Sequence, residues 1–188
     1  MMEAFLQDIT ITTPAERAAV EQFKQRLEYL SVPAKTVLLR EGDVAQKMYF
    51  VRKGCLRLYF YNAGNDITFQ FFFEGSVVAS FDSWHKRQPS QFSLESIEPT
   101  DLVAVPREAF ETLIHAVPSL RDRYEEVLIE RFHAYQQLFL SRIKNTPQQR
   151  YEELLCEHPD VLLRVPQHYI ASFLGITPVS LSRIRNRR

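Results

Sequence analysis

Residues 167–188 read QHYIASFLGITPVSLSRIRNRR, a pattern of two short helices joined by a tight turn. The apolar residues of the first helix end at Gly175, where a glycine tolerates the left-handed conformation of a helix C-cap. Thr177 then supplies an N-cap hydroxyl, and Pro178 stands at the first helical position, where its missing N–H costs nothing. The spacing therefore predicts a helix-turn-helix.

The second of these helices buries Leu181 and Ile184 in this interpretation and turns serine and arginine side chains outward. Such a helix is the type that enters the major groove of DNA. Residues 183–188 contain four arginines and no acid, which suits contact with phosphates. The expected DNA-binding residues are Thr177, Val179, Ser180, Ser182, Arg183, Arg185, Arg187 and Arg188. A helical hairpin with a solvated polar face is the alternative interpretation.

The composition limits the kinds of partner. The 188 residues carry a formal net charge of zero, so attraction to nucleic acid has to be local, and residues 144–188 hold seven Lys or Arg against four acids. Cys55 and Cys156 lack the spacing of an iron–sulfur or structural zinc site. The sequence shows neither a signal peptide nor a long apolar run, so we expect a cytoplasmic protein without a membrane partner.

In the first half of the chain, the spacing of the apolar residues changes from a helical pattern to a β-strand pattern. Residues 14–30 have apolar side chains at helical spacing, which predicts an amphipathic helix that begins at Pro14. After Pro33, short β-rich runs separated by turn residues predict an antiparallel barrel or sandwich. The predicted strands are residues 36–40, 48–52, 55–61, 67–73, 76–80, 92–96 and 102–105. Residues 81–91 are expected to form one long irregular connection.

The second half returns to helical spacing. We predict helices at residues 107–116, 119–145 and 147–157, the last followed by a short connection between Pro159 and Pro166. The long helix carries an apolar stripe and further apolar residues beside it, so it needs two partners. One is its own β domain, and the other is the same helix of a second copy, paired through residues 119–143 as in a coiled coil. Burial within one chain is the alternative. The stripe consists of Leu120, Tyr124, Leu128, Phe132, Tyr135, Phe139 and Ile143.

This order of elements resembles the Crp/Fnr family of bacterial transcription regulators. Residues 39–43 (LREGD) and 48–54 (MYFVRKG) are similar to the turn and strand of the family's β-roll. Residues 170–185 (IASFLGITPVSLSRIR) are similar to its DNA-reading motif, and Arg183 stands where the family places its base-reading arginine.

The resemblance implies an α+β fold with three parts. These are an N-terminal antiparallel β-roll of double-stranded β-helix or jelly-roll type (residues 1–118), a dimerisation helix (119–145) and a small helix-turn-helix domain (146–188). Because the chain stops at Arg188, this domain is expected to lack a wing. The implied function is a homodimeric transcription regulator that reads a palindromic operator. Its implied partners are double-stranded DNA, a second copy of the chain and RNA polymerase.

Two stretches depart from the members of the family that bind cyclic AMP. Those members hold the ribose with a Gly-Glu pair and the phosphate with an Arg-Ser pair. Here Ser80 stands in place of the glutamate, and the stretch around Ser90 has no arginine in the matching place. We therefore expect that the roll does not bind cyclic AMP and that the protein holds no identified cofactor. The roll is expected either to bind a different effector or to act as a scaffold. The candidate effector-binding residues are Phe71, Phe73, Gly75, Val77, Ser80, Ser90 and Gln91.

Two other functions compete with the regulator. A small-molecule-binding β-roll protein without DNA-binding activity is the first alternative. An enzyme of the cupin type is the second, but its metal site would need several histidines and a carboxylate, and the β region contains only His85. We expect no enzyme, no metal site and no catalytic residues, since no nucleophile–base set or carboxylate pair stands out.

Overall fold

The computed structural model describes residues 11–186 of the chain. Their strands form two four-stranded sheets with the orders β1-β8-β3-β6 and β2-β7-β4-β5, and the recorded pairings are antiparallel. This arrangement confirms the antiparallel β-roll of the predicted α+β fold. The strands are β1 (Glu28–Val32), β2 (Val37–Leu39), β3 (Lys47–Lys53), β4 (Leu56–Asn62), β5 (Asn65–Phe72), β6 (Val77–Val78), β7 (Ser93–Ser96) and β8 (Thr100–Pro106).

Helices precede, interrupt and follow the strands. They are α1 (Pro14–Gln25), α2 (Phe81–Lys86), α3 (Arg107–Ala116), α4 (Pro118–Lys144), α5 (Pro147–Glu157), α6 (Val161–Arg164), α7 (Gln167–Leu174) and α8 (Pro178–Arg185). The predicted long helix is confirmed within one residue at each end, and α3 and α5 have the predicted bounds. No helix in residues 11–186 is both long and apolar enough to cross a membrane.

The described residues group into two compact units. The first contains residues 11–58 and Phe71–Ile129, and the second contains Tyr59–Gln70 and residues 130–186. The outer part of the β4–β5 hairpin thus belongs to the same unit as the C-terminal helices. The three-part division at residues 118 and 145 stays a prediction.

The first helix is shorter than predicted. A capping box between Thr13 and Glu16 begins it, but it ends at Gln25 rather than at residue 30. The next segment forms β1, which pairs with β8 along its whole length. Leu30 fits the apolar spacing of both a helix and a strand, and the backbone hydrogen bonds available along β8 favour the strand.

The connection between β6 and β7 was predicted to be irregular over residues 81–91, but part of it is helical. Helix α2 begins after Ser80 and stops at Arg87, whose φ of 57° places it in the left-handed region. Trp84 of this helix is buried and contacts the ring of Phe110 edge-on at 6.2 Å. This contact to a distant helix explains why the segment is ordered. The later connection between Pro159 and Pro166 likewise contains a helix, α6.

The core of the first unit is built where α1, α3 and the start of α4 meet residues of β3 and β8. Phe110 belongs to this core, and in addition to Trp84 it contacts Tyr124 edge-on at 5.2 Å. Leu120 is fully buried there, so the beginning of the long helix is fixed by apolar contacts. The buried members are Val20, Phe23, Ala45, Met48, Trp84, Val105, Ala109, Phe110, Leu113, Val117 and Leu120.

The predicted apolar stripe of α4 is covered by its own chain along only part of its width. Leu120 is buried and Tyr124 is half-buried, and Tyr135 contacts the ring of Phe69 at 6.1 Å. Phe132 and Phe139, in contrast, are 61% and 65% exposed. Because the helix has 3.6 residues per turn, steps of four residues move successive side chains around its axis. The later members of the stripe therefore lie beside the first ones, toward the open side of the helix.

Candidate nucleic-acid interface and β-roll site

The C-terminal unit contains the predicted helix-turn-helix. Helix α7 ends at Gly175, which has a left-handed φ of 69° and donates its N–H to Ser172 O at 3.1 Å. Helix α8 begins at Thr177, whose Oγ1 accepts the N–H of Ser180 at 3.1 Å, and Pro178 occupies its first position. The local signals in the sequence are therefore confirmed, and they fix the point at which the second helix starts.

The two helices pack through a small apolar core. Leu174 of α7 and Leu181 of α8 are both fully buried, and Ile184 is half-buried rather than a full member of the core. Helix α5 adds Tyr151 and Leu154 from its buried face. The other buried residues of this core are Val161, Val165, Ile170 and Ala171.

The opposite face of α8 is open. Val179 is 62% exposed, and Ser182 and Arg183, three and four residues later, are exposed on the same side. Ser180 and Arg185 are half-buried. The hydroxyl of Thr177 is exposed but engaged in the cap, 3.0 Å from Ser180 Oγ. Arg187 and Arg188 lie outside the described residues.

Sequence reasoning missed one residue of this face. Asn186 is exposed, caps the end of α8, and follows Arg183 by three residues and Val179 by seven. These intervals place the three side chains along one line of the helix surface. The helical period that located Arg183 therefore pointed to Asn186 as well. The resulting surface, Val179, Ser182, Arg183 and Asn186, is called the α8 face below.

Two arginines fix the first helix of this motif to the end of the long helix. Arg142 of α4 donates to Phe173 O at 2.6 Å, and its guanidinium lies 5.4 Å from the centroid of the Phe173 ring. Arg150 of α5 donates to Leu174 O at 2.8 Å and to Asn145 O at 2.7 Å. The last carbonyls of a helix lack partners within the helix and carry its negative dipole end, so cations suit them. We call this arrangement the arginine clamp.

Burial gives the arginine clamp a low-dielectric setting. Desolvation lowers the pKa of Arg142 from the usual arginine value, and the positive charge of Arg150 lowers it further. Arginine nevertheless remains charged near neutral pH. Two like charges are thus held close together, and the helix-end carbonyls that they cap offset part of the repulsion.

The outer part of the β4–β5 hairpin contacts the same unit. The backbone N–H of Thr68 donates to Ser172 Oγ at 3.1 Å, and Ser172 in turn donates to Tyr169 O at 3.0 Å. Phe69 contacts Tyr135 of the long helix. The first helix of the motif is therefore held on one side by the arginine clamp and joined to a β-hairpin through its own serine.

In the β-roll, the two serines that replace the expected glutamate and arginine lie together. Ser90 Oγ is 2.7 Å from Ser80 Oγ and donates to Phe92 O at 2.6 Å, and both serines are buried. The backbone N–H of Ser90 donates to Asp43 O, and Gly42 N–H donates to Ser90 O, both at 2.8 Å. These hydroxyls and backbone groups bond to one another.

The other candidate effector-binding residues have different environments. Phe71 and Phe73 are buried, with ring centroids 6.4 Å apart. Gly75 donates its N–H to Val51 O at 2.9 Å, and Val77 pairs with Phe50 in the sheet and packs against the core. The remaining candidate, Gln91, is exposed. Ser80 with Ser90 and Phe71 with Phe73 are the pairs that the fold brings together.

The roll also contains a buried ion pair that sequence reasoning missed. Arg57 Nε lies 2.7 Å from Glu95 Oε1, and the two side chains are only 2% and 10% exposed. They belong to β4 and β7, which are neighbours in one sheet. The available signal was an arginine placed between two leucines in β4, with a single acid following a leucine in β7. Among the described residues, no group of three or more His, Cys, Asp or Glu side chains is arranged to hold a metal ion.

Comparison with known proteins agrees with this architecture. Residues 29–116 match the cyclic nucleotide-binding domain family. FixK2 from Bradyrhizobium japonicum is similar in structure, with a TM-score of 0.75 and 18% identity over 86% of this chain and 83% of that chain. The comparison with curated protein sequences gave no match.

Two further solved structures are similar over nearly the whole chain. A protein from Eubacterium rectale assigned to the Crp/Fnr family of transcriptional regulators has a TM-score of 0.72 and 19% identity, over 94% of this chain and 83% of that one. The c-di-GMP responsive global regulator CLP from Xanthomonas campestris has a TM-score of 0.66 and 16% identity, over 91% and 90%. Residues 29–116 are therefore similar to a cyclic nucleotide-binding domain, and the described chain has the fold seen in Crp/Fnr transcriptional regulators.

The arginine clamp makes a testable contribution to stability. Arg150→Met removes the donors to Leu174 O and Asn145 O and leaves two helix-end carbonyls without them. We expect the free energy of unfolding to fall by about 1–2 kcal/mol, the cost of leaving partly buried acceptors unpaired. Urea denaturation followed by circular dichroism measures this change. Arg121→Met, which alters an exposed arginine of α4, is the matched control; equal stability of the two variants would contradict the role of Arg150.

Proposed function

We propose that this protein is a DNA-binding transcription regulator of the Crp/Fnr type and that α8 is its recognition helix. The observation that carries the proposal is the α8 face. It combines an exposed arginine with exposed apolar and amide side chains on a helix that contains no acid. A recognition helix presents such side chains to base edges, and the cations around it release counterions from phosphates.

Arg183 reads a guanine in this proposal. It is exposed and lies one turn after Val179, in the last turn of α8. A guanidinium matches the O6 and N7 acceptors of guanine in the major groove with two hydrogen bonds. Arg185, which is half-buried, contacts phosphate, and we assign Arg187 and Arg188 to phosphate as well.

The proposed protein is a homodimer that forms through α4. Ile129, Phe132, Phe139 and Ile143 are 58%, 61%, 65% and 65% exposed and follow one another at intervals of three, seven and four residues. Apolar residues at these intervals form the seam of a coiled coil. A second copy of the helix would remove this seam from water, and the two α8 faces would then read the halves of a palindromic operator.

The β-roll does not hold cyclic AMP in this proposal. The cyclic phosphate would require a cation where Ser90 stands, and the hydroxyl of Ser90 already bonds within the protein. The roll either binds another small molecule or serves as a scaffold for the regulator. We further propose that the protein is not an enzyme, that it acts in the cytoplasm, and that RNA polymerase is its partner on DNA.

The base contact is tested by comparing a duplex selected from a randomised pool with a scrambled duplex. Arg183→Ala is expected to weaken binding to the selected duplex by about 1–3 kcal/mol per half-site and to relax the preference at one base pair. Arg185→Ala, the matched control, is expected to weaken binding to both duplexes alike, because phosphates carry no sequence. If Arg183→Ala weakens both equally, Arg183 contacts phosphate. If wild-type protein binds neither duplex, the ligand-binding alternative takes the place of the regulator.

The dimer is tested by placing a charge on the exposed stripe of α4. Phe139→Asp should convert a dimer into a monomer at micromolar concentration, because the interface would bury an unpaired carboxylate. Ala134→Asp adds the same charge to an exposed position elsewhere on the helix and should leave the dimer intact. Sedimentation velocity measures both. A wild-type monomer, or a Phe139→Asp dimer, would rule out the proposed interface.

A further inference from the structure

We propose that Val179 determines sequence specificity by contacting the 5-methyl group of a thymine in the major groove. This inference rests on the proposed DNA-binding function and names the chemistry that one residue of the α8 face reads. Its starting observation is an apolar side chain that the protein leaves uncovered at the beginning of the recognition helix.

The position of Val179 places it among the base-contacting residues. Thr177 caps α8 and Pro178 is its first residue, so Val179 is the second. The N-terminal residues of a recognition helix are the ones that reach base edges. Val179 is 62% exposed in the free protein, whereas Leu181 of the same helix is fully buried. Burial in the protein core therefore does not explain why this position holds an apolar residue.

The neighbours of Val179 restrict what it can face. Ser182 and Arg183 follow it at intervals of three and four residues and are exposed on the same side. A ligand that covers Val179 must therefore also offer hydrogen-bond acceptors or negative charge to these two side chains, one helical turn away. The major groove meets both requirements, because guanine acceptors and the thymine methyl group lie along its floor.

The chemistry of valine then selects the base. Its side chain has no hydrogen-bond donor or acceptor, so it cannot distinguish the polar edges of adenine, guanine or cytosine. The thymine 5-methyl group is the apolar feature of the major groove, and apolar side chains contact it. Val179 therefore favours a thymine on one side of the guanine read by Arg183.

The experiment removes single methyl groups from the selected duplex. Each thymine is replaced in turn by deoxyuridine, which lacks the 5-methyl group and keeps the same hydrogen-bonding edge. At one thymine, wild-type protein is expected to lose about fourfold in affinity per half-site, the change that corresponds to burying one methyl group. Val179→Ala is expected to bind the thymine and uracil duplexes equally at that position.

A matched variant separates this contact from a general loss of apolar surface. Leu163→Ala shortens a side chain that is 89% exposed on α6, and it should keep the wild-type preference for thymine over uracil. A further duplex carries 5-methylcytosine at the same position. Tighter binding of the thymine duplex supports the assignment, whereas tighter binding of the 5-methylcytosine duplex shows that methylated DNA is the target and overturns it.

Failure of this inference is distinguishable from failure of the proposed function. If the protein selects a duplex but no uracil substitution separates wild type from Val179→Ala, Val179 does not read a methyl group and DNA binding still stands. If no duplex is selected at all, the proposed function is wrong and the inference is wrong with it.

Discussion

The end of helix α7 is the point on which the candidate interface depends. Its last two carbonyls, Phe173 O and Leu174 O, receive hydrogen bonds from Arg142 and Arg150. Arg150 also bonds to Asn145 O at the end of the long helix. The turn at Gly175 follows directly, so the direction in which α8 starts is set by a helix end that two cations hold in place. A flexible turn there would leave the α8 face without a defined orientation toward a groove.

Two buried polar pairs of the β-roll are satisfied by groups of the roll itself. The Ser80 and Ser90 hydroxyls bond to each other and to the backbone, and Arg57 pairs with Glu95 between two strands. A buried ion pair is costly to form and more costly to break on one side, so these two charges are expected to stay together. An effector that needs a cation or a carboxylate of the roll would have to displace such a contact. This is the physical reason for proposing a scaffold or a different ligand rather than cyclic AMP.

The sequence predicted the features that local chemistry decides. Gly175, Thr177 and Pro178 determine the ends of α7 and α8 through backbone conformation and capping, so the helix-turn-helix could be placed almost to the residue. The helical period also placed Arg183 and Ser182 on the exposed face. In the roll, turn residues and β-rich runs were enough to locate β2 to β8 within two residues at each end, whereas β1 was missed.

Features that depend on distant contacts were not predicted. The clamp joins residues 24 and 31 positions apart, and the Arg57–Glu95 pair joins residues 38 apart, distances that no local spacing reveals. Strand β1 continued an apparently helical pattern because only β8, some 70 residues later, decides its conformation. The division of α4 into a covered and an open face had the same origin, since the partners of Tyr124 and Tyr135 lie elsewhere in the chain.

The proposed binding of duplex DNA through a cationic recognition helix is tested most directly by the salt dependence of that binding. Titration of the wild-type protein with duplex DNA at several salt concentrations gives the slope of log K against log[salt]. We expect log K to fall linearly with log[salt], with a slope of roughly −0.9 for each phosphate neutralised. Absence of binding at low salt, or an affinity that does not change with salt, would contradict it.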